Sequence, residues 1–188
     1  MTGMAAPSPR PDEFPGSFEA FYLATFAKTF NASRRMAAGD THLAHDATQE
    51  AYLVMLRRWS DRQHRSQDDN RKYVAGVAAN KVIDAYRHRH RHVQFDDELD
   101  VPADGDQYAE VLDDLTLLAA VRTLIATQPP RRRAVATLYF LAGLDSAEIA
   151  ESLTMSESTV RTHIQRLRSI LKPRVDQISR TDQGGETS

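Results

Sequence analysis

Apolar positions along this chain recur at helical spacing. From 17 to 60 they fall three or four residues apart among strong helix formers, with Gly39 the one interior glycine. A polar gap, Ser60 to Asn70, precedes a second helical pattern at Arg71 to about His92. The periodicity fades over 93–110, where Pro102 and Gly105 stand in a polar run, and resumes from about Glu110 to Lys172. Breaks there fall at Pro129-Pro130, at Gly143 and at the turn Thr154 to Ser156. No run alternates Val, Ile or Thr with polar residues, so sheet content should be near zero. The pattern predicts an all-α protein of two small helical domains joined by an acidic flexible linker. The expected divisions are a tail at 1–16, a domain at 17–92, the linker at 93–115, a domain at 116–174 and a tail at 175–188.

The second domain carries the most specific local pattern, LDSAEIAESLTMSESTVRTHIQRLRSIL at 144–171. Asp145 followed by Glu148 is a capping-box pattern for a short helix presenting Ile149 and Leu153 inward. Ser156 caps the next helix, with Glu157 in its first turn at the positive end of the dipole. Val160, Ile164, Leu167 and Leu171 then form one apolar stripe. The other face offers Ser158, Thr162, Gln165, Arg166 and Ser169, flanked by Arg161 and Arg168. Arg pairs bidentately with guanine, Gln with adenine, and Ser or Thr reaches base edges or phosphates. A helix-turn-helix whose second helix reads duplex DNA is the expectation. Upstream, Arg131, Arg132 and Arg133 open a further helix as three adjacent cations suited to phosphates.

Charge sharpens the first domain. The formal net charge is only −2, a poor sign for a nucleic-acid binder until its distribution is read. Between Arg71 and His92 stand six Lys or Arg against Asp84 alone, whereas Val93 to Asp114 holds nine acids and no Lys or Arg. Blocks of one sign mark surfaces with separate partners. Within the basic block Tyr73, Asn80, Asp84, Arg87 and Arg91 share a helical stripe opposite Val74, Val77, Ala78, Val82 and Ala85. An aromatic, an amide and two guanidinia on one stripe suit splayed single-stranded bases. Earlier, Ala44, Ala47, Ala51 and Val54 point one way, while Asp46, Gln49, Glu50, Leu53 and Arg57 share the other face. His88 and His92 stand at i, i+4 without a carboxylate at helical spacing, so no metal is expected.

Composition excludes several classes. Cysteine is absent, which removes disulfides and thiolate metal sites. No apolar run approaches the roughly 20 residues that span a bilayer. The start, MTGMAAPSPRPDEFPG, lacks the basic and apolar parts of a secretory leader, so a cytoplasmic protein is expected. No glycine-rich phosphate loop, paired carboxylates or nucleophile motif points to an enzyme, and no cofactor is implied.

The motifs resemble a known family. The stretch from Pro129-Pro130 through Ala134–Gly143, Ala147-Glu148-Ile149-Ala150 and Ser156–Val160 resembles the fourth conserved region of sigma factors, with Thr154 where that family usually has Gly. Asp46, Gln49 and Glu50 resemble the D-x-x-Q-E helix of the second conserved region. Ala78, Asn80, Ile83, Asp84 and Arg87 resemble its A-x-N-x-x-I-D-x-x-R segment, with Tyr73 in place of the usual Trp. With no room for a third conserved domain, the likeness is to the compact extracytoplasmic-function (ECF) group. It implies a promoter-binding subunit of RNA polymerase. Asp46, Gln49, Glu50, Leu53 and Arg57 would meet the clamp of the largest core subunit, and the second domain the flap of the second subunit. Tyr73, Asn80, Asp84, Arg87 and Arg91 would melt and read the minus-ten element. Arg131, Arg132, Arg133, Ser158, Thr159, Arg161, Thr162, Gln165 and Arg166 would hold the minus-thirty-five element. The linker would thread through the polymerase, and an anti-sigma protein would be a further partner. A response-regulator type activator is the competing reading, but it needs an α/β receiver for which the first half shows no strands. An interaction-only adaptor would not need promoter-reading residues on both domains.

Overall fold

The computed structural model describes residues 16–89 and 117–183, and every regular element among them is a helix. The expected linker and the first fifteen residues lie outside the described residues. Four helices form the first half: α1 Phe18–Met36, α2 Thr41–Arg57, the single turn α3 Trp59–Arg62, and α4 Gln67–Arg89. Four more form the second: α5 Leu117–Ala126, α6 Pro130–Phe140, α7 Ser146–Leu153 and α8 Glu157–Gln183.

α1 and α2 start where side chains satisfy the first free amides. Ser17 accepts from Ala20 N at 3.1 Å, and Asp40 accepts from Leu43 N at 2.9 Å. Their common face is partly polar. Thr25, Thr29, Ser33 and Thr48 are buried, each hydroxyl donating to the carbonyl four residues back. Thr48 is also within 3.0 Å of Ser33 Oγ, and the Tyr52 hydroxyl sits 2.9 Å from Thr25 and 3.1 Å from Thr29. Every hydroxyl is paired, so the strip costs little and fixes the register of the two helices. Burial pushes the Tyr52 phenol above its ordinary pKa, against the hydrogen bonds from both threonines.

The polar gap before α4 is shorter than its composition suggests. α3 occupies part of it, and α4 begins at Gln67 rather than Arg71. Ser66 caps it by accepting from Asp69 N at 3.1 Å, and Asp68 and Asp69 lie in its first turn. Asn70 is completely buried and laces the intervening loop. Its Nδ2 donates to the carbonyls of Arg62 and Arg65 at 3.1 and 3.3 Å, and its Oδ1 accepts from Arg62 Nε at 3.2 Å.

α4 is the axis of the molecule. Val74 and Ala78 join an aromatic cluster with Phe21, Tyr52 and Met55. Ala75, Ala79, Val82 and Ile83 belong to a second cluster that runs without a break into α5, α6, α7 and α8. The two halves therefore share one apolar core among the described residues. Polar contacts lie at its margin: Arg71 donates to Ala142 O at 2.9 Å, and Lys72 lies 3.6 Å from both Asp68 and Glu148. Arg71 also pairs with Asp68 at 2.6 Å. Burial raises the Asp68 pKa, but the Arg71 hydrogen bond and the charges of Arg71 and Lys72 outweigh it, so the carboxyl lies below its ordinary value.

α8 continues to Gln183, beyond the expected end near 174, and carries Pro173 inside it. Proline has no N–H, so one bond of the helical ladder is missing there. Between α7 and α8, Thr154 adopts φ 54° and ψ 49°, the left-handed conformation that favours glycine. Replacing Thr154 with Gly is expected to stabilise the protein by about 1 kcal/mol, a rise of roughly 2–4 °C in Tm for a chain of this size. An unchanged or lower Tm on calorimetry would show that the turn carries no such strain.

Candidate nucleic-acid interface

The helix-turn-helix is built from its caps. Asp145 Oδ1 accepts from Ala147 N at 2.9 Å and Glu148 N at 2.8 Å, and Glu148 Oε2 accepts from Asp145 N at 2.8 Å, completing the capping box. Ser156 Oγ accepts from Thr159 N at 3.1 Å and starts α8. Val160, Ile164, Leu167 and Leu171 are buried as one stripe. The other face is open: Ser158, Arg161, Thr162, Gln165, Arg166, Arg168 and Ser169 are all exposed. Arg161 reaches back to Glu157 at 2.6 Å, and Glu157 also accepts from Ser146 Oγ at 2.8 Å. Thr159 is half-buried beside the Ser156 hydroxyl at 2.7 Å, so it belongs to the cap more than to the reading face. Arg168 lies against the Tyr139 ring, 5.2 Å from its centroid.

The arginine run is differently placed from its predicted phosphate-binding role. Arg133 is 2 % exposed, and its Nε and Nη2 donate to Gln128 O at 3.0 and 2.9 Å. Arg132 is 7 % exposed, with Nη1 3.5 Å from Gln128 Oε1, and Arg131 is half-buried. Successive helical residues turn by about 100°, so three adjacent cations cannot share one outward face. α6 is packed on most sides, and the run turns inward onto the carbonyl that follows α5. There the negative end of a helix receives a guanidinium fork.

On the first half, the α2 face stands as its spacing predicts. Ala44, Ala47 and Ala51 are buried and Val54 is half-buried, while Asp46, Gln49, Glu50, Leu53 and Arg57 are exposed. Glu50 is paired with Lys81 of α4, and Gln49 Nε2 is 3.5 Å from His45 Nε2. Leu53 is 50 % exposed, and so is Leu56, which the spacing argument left out. At i, i+3 the two leucines lie next to each other on the exposed side of α2.

Along α4, Tyr73, Asn80, Asp84 and Arg87 lie on one stripe, all half-buried, and Asp84 holds Arg87 at 2.9 Å. Arg91 lies outside the described residues. Arg62 adds a group that sequence periodicity could not find, because it reaches the stripe from α3. Its guanidinium covers the Tyr73 ring at 4.0 Å. Burial lowers the Arg62 pKa from its ordinary value. The pair makes a flat cationic platform of the kind on which a base stacks. Among the described residues no group of three His, Asp or Glu is placed to hold a metal ion.

Arg133→Ala is expected to destabilise the fold by about 2 kcal/mol, as loss of charge-assisted hydrogen bonds does, read from urea denaturation. The salt dependence of duplex-DNA binding should be unchanged. A shallower salt slope would return Arg133 to the phosphate contacts.

Residues 118–171 match the family model described as Sigma-70, region 4. Over 138 residues, 72% of this chain, it is 28% identical to the ECF RNA polymerase sigma factor SigE of Mycolicibacterium smegmatis. The chain spans about half the length of that curated relative, 52%. The fold is similar to the sigma factor RpoE in its complex with the anti-sigma factor NepR from Bartonella quintana. That likeness has a TM-score of 0.57 at 17% identity and covers 85% of this chain and 96% of the other. No described helix is long and apolar enough to cross a membrane. Residues 118–171 thus carry a sigma-70 region 4, and 72% of the chain aligns with an extracytoplasmic-function sigma factor.

Proposed function

We propose that the protein is a sigma factor that binds core RNA polymerase, recognises minus-ten and minus-thirty-five promoter elements, and initiates transcription of a specific gene set. The observation that carries this reading is the coexistence of three surfaces on one chain. The open face of α8 presents Arg161, Thr162, Gln165 and Arg166 to a major groove. The α4 stripe presents Tyr73 under Arg62, with Asn80, Asp84 and Arg87, to a single strand. The α2 face presents Asp46, Gln49, Glu50, Leu53 and Arg57 to the polymerase clamp, and Leu56 extends it. A simple operator-binding activator needs the first surface and neither of the others. The protein acts by binding, with polymerase supplying the chemistry, and works in the cytoplasm where transcription occurs. An anti-sigma protein is its expected regulator.

Run-off transcription with purified core polymerase over a promoter library tests the proposal. Specific initiation that depends on the added factor is expected; no stable complex with core and no initiation would sink it. Arg166→Ala should weaken binding to duplex carrying the upstream element by roughly 1–3 kcal/mol, measured by anisotropy titration. Arg87→Ala should leave that binding intact and reduce heparin-resistant open complexes by about tenfold. Unchanged open-complex yield with Arg87→Ala would leave the α4 stripe a solvated face.

A further inference from the structure

Several described cations are balanced by a carboxylate: Lys81 by Glu50, Arg87 by Asp84, Arg89 by Asp40 and Arg161 by Glu157. A cavity of about 230 Å³ between α1, α4, α5 and the residues that follow α6 is built differently. Four cations line it: Lys28 and Arg35 from α1, Arg71 from α4 and Arg122 from α5, and no carboxylate belongs to its wall.

Helix geometry accounts for the gathering. Lys28, Ala32 and Arg35 recur at i, i+4 and i+7, so they share one face of α1. The one acid of that helix, Glu19, lies in its first turn, and α5 has none. Among the described residues Lys28 and Arg122 form no ion pair. Arg71 is held in place: its Nη2 donates to Asp68 Oδ1 at 2.6 Å and to Ala142 O at 2.9 Å. Both bonds use one nitrogen, so the guanidinium is fixed with Nε and Nη1 left over. Ala32, Ala75 and Leu141 supply apolar wall between the charges. Like charges gathered against low-dielectric walls repel one another and focus a positive potential into the space between them. An anion in that space turns the repulsion into attraction.

Size and charge narrow the anion. Water takes about 30 Å³ per molecule in the liquid, so the cavity holds roughly eight such volumes, more than one phosphate fills and close to what a diphosphate fills. Pockets for drug-sized organic ligands start at about 300 Å³. Four cations with Asp68 beside Arg71 leave an excess of three positive charges, and diphosphate is a trianion near neutral pH. Guanidinium forks take phosphate oxygens in pairs, and lysine adds a point charge. A nucleic-acid backbone follows an extended groove, whereas a cavity walled by three helices suits a compact anion.

We propose that this cavity is a binding site for a diphosphate group, supplied by inorganic pyrophosphate or by a nucleoside diphosphate whose remainder passes the half-exposed Leu118 at the wall. The site uses none of the residues assigned to promoter or polymerase.

Calorimetric titration of the full chain with inorganic pyrophosphate, in EDTA and about 0.15 M salt, is expected to give one site with Kd below about 0.1 mM. ADP is the second probe: tighter binding than pyrophosphate assigns the nucleotide, and equal or weaker binding assigns the free anion. Lys28 and Arg122 are exposed, so Lys28→Ala and Arg122→Ala leave the packing intact. Each should weaken binding at least about tenfold, the loss of one charge-assisted contact. Arg166→Ala, on the open face of α8, should leave it unchanged. At about a hundred times Kd, pyrophosphate should raise the parent Tm by roughly 5–10 °C, and that of Arg122→Ala by about half as much at the same concentration. No heat and no Tm change with either probe, equal affinity for sulfate and pyrophosphate, or equal weakening by Arg166→Ala would overturn the site. Loss of promoter-duplex binding in Lys28→Ala and Arg122→Ala, with pyrophosphate binding unchanged, would overturn it in favour of nucleic acid. None of these titrations contains polymerase, so a failure to initiate transcription would sink the sigma-factor reading and leave the site standing.

Discussion

Everything in this structure depends on how closely neighbouring helices can approach α4. Its sequence through the middle, Val-Ala-Gly-Val-Ala-Ala, contains little bulk, and it is buried on two sides at once. One side meets the aromatic cluster of α1 and α2, and the other meets the second half. Dispersion and apolar burial fall off steeply with separation, so small residues here gain by contact area what they lack in volume. Each fully buried Val or Ile in such a core contributes roughly 1.5–3 kcal/mol. The ion pairs at the rim, partly exposed, contribute about 0–1 kcal/mol each. Apolar packing decides that the halves adhere, and the charges decide in which orientation.

The helices were legible because their apolar stripes are regular, as with Val160, Ile164, Leu167 and Leu171. The caps were legible because Asp145 with Glu148 and Ser156 leave few other readings. Thr154 was visible as a departure, and its left-handed backbone shows that the turn geometry was kept at the cost of strain. The misses have physical causes. The buried hydroxyls of Thr25, Thr29, Ser33 and Thr48 look like a polar face in sequence, because nothing there says that each satisfies a carbonyl of its own helix. Arg132 and Arg133 looked like surface cations, because a charge run carries no mark of the acceptor waiting at Gln128 O. Arg62 was invisible to periodicity, since it reaches Tyr73 from another element. The packing of one half on the other was invisible for the same reason: α4 carries apolar residues around most of its circumference, and its sequence does not say what covers them.

The candidate reading surfaces are polarised by neighbouring charges. Arg87 is held by Asp84, Arg161 by Glu157, and Glu50 by Lys81. Such pairs orient a cation at little cost and release it to a phosphate when one arrives, because they are exposed enough to exchange. Arg133, by contrast, is committed to a backbone carbonyl in the interior. Exposure, more than charge, separates the arginines that can read nucleic acid from those that hold the fold.

The contrast between the two faces follows from where each helix spends its apolar surface. α8 uses one narrow stripe for packing and leaves the rest of its first four turns open, so its reading face survives any arrangement of the halves. α4 uses almost its whole circumference, so its polar stripe is pressed between two packed sides and is half-buried throughout. At one end of the stripe Arg62 covers the Tyr73 ring as a flat cationic platform. α7 sits against Gly76 of the same helix, so close packing borders the half-buried polar stripe. The open face of α8 is thus set by that helix's own packing, whereas the burial of the α4 stripe is set by the helices that cover α4.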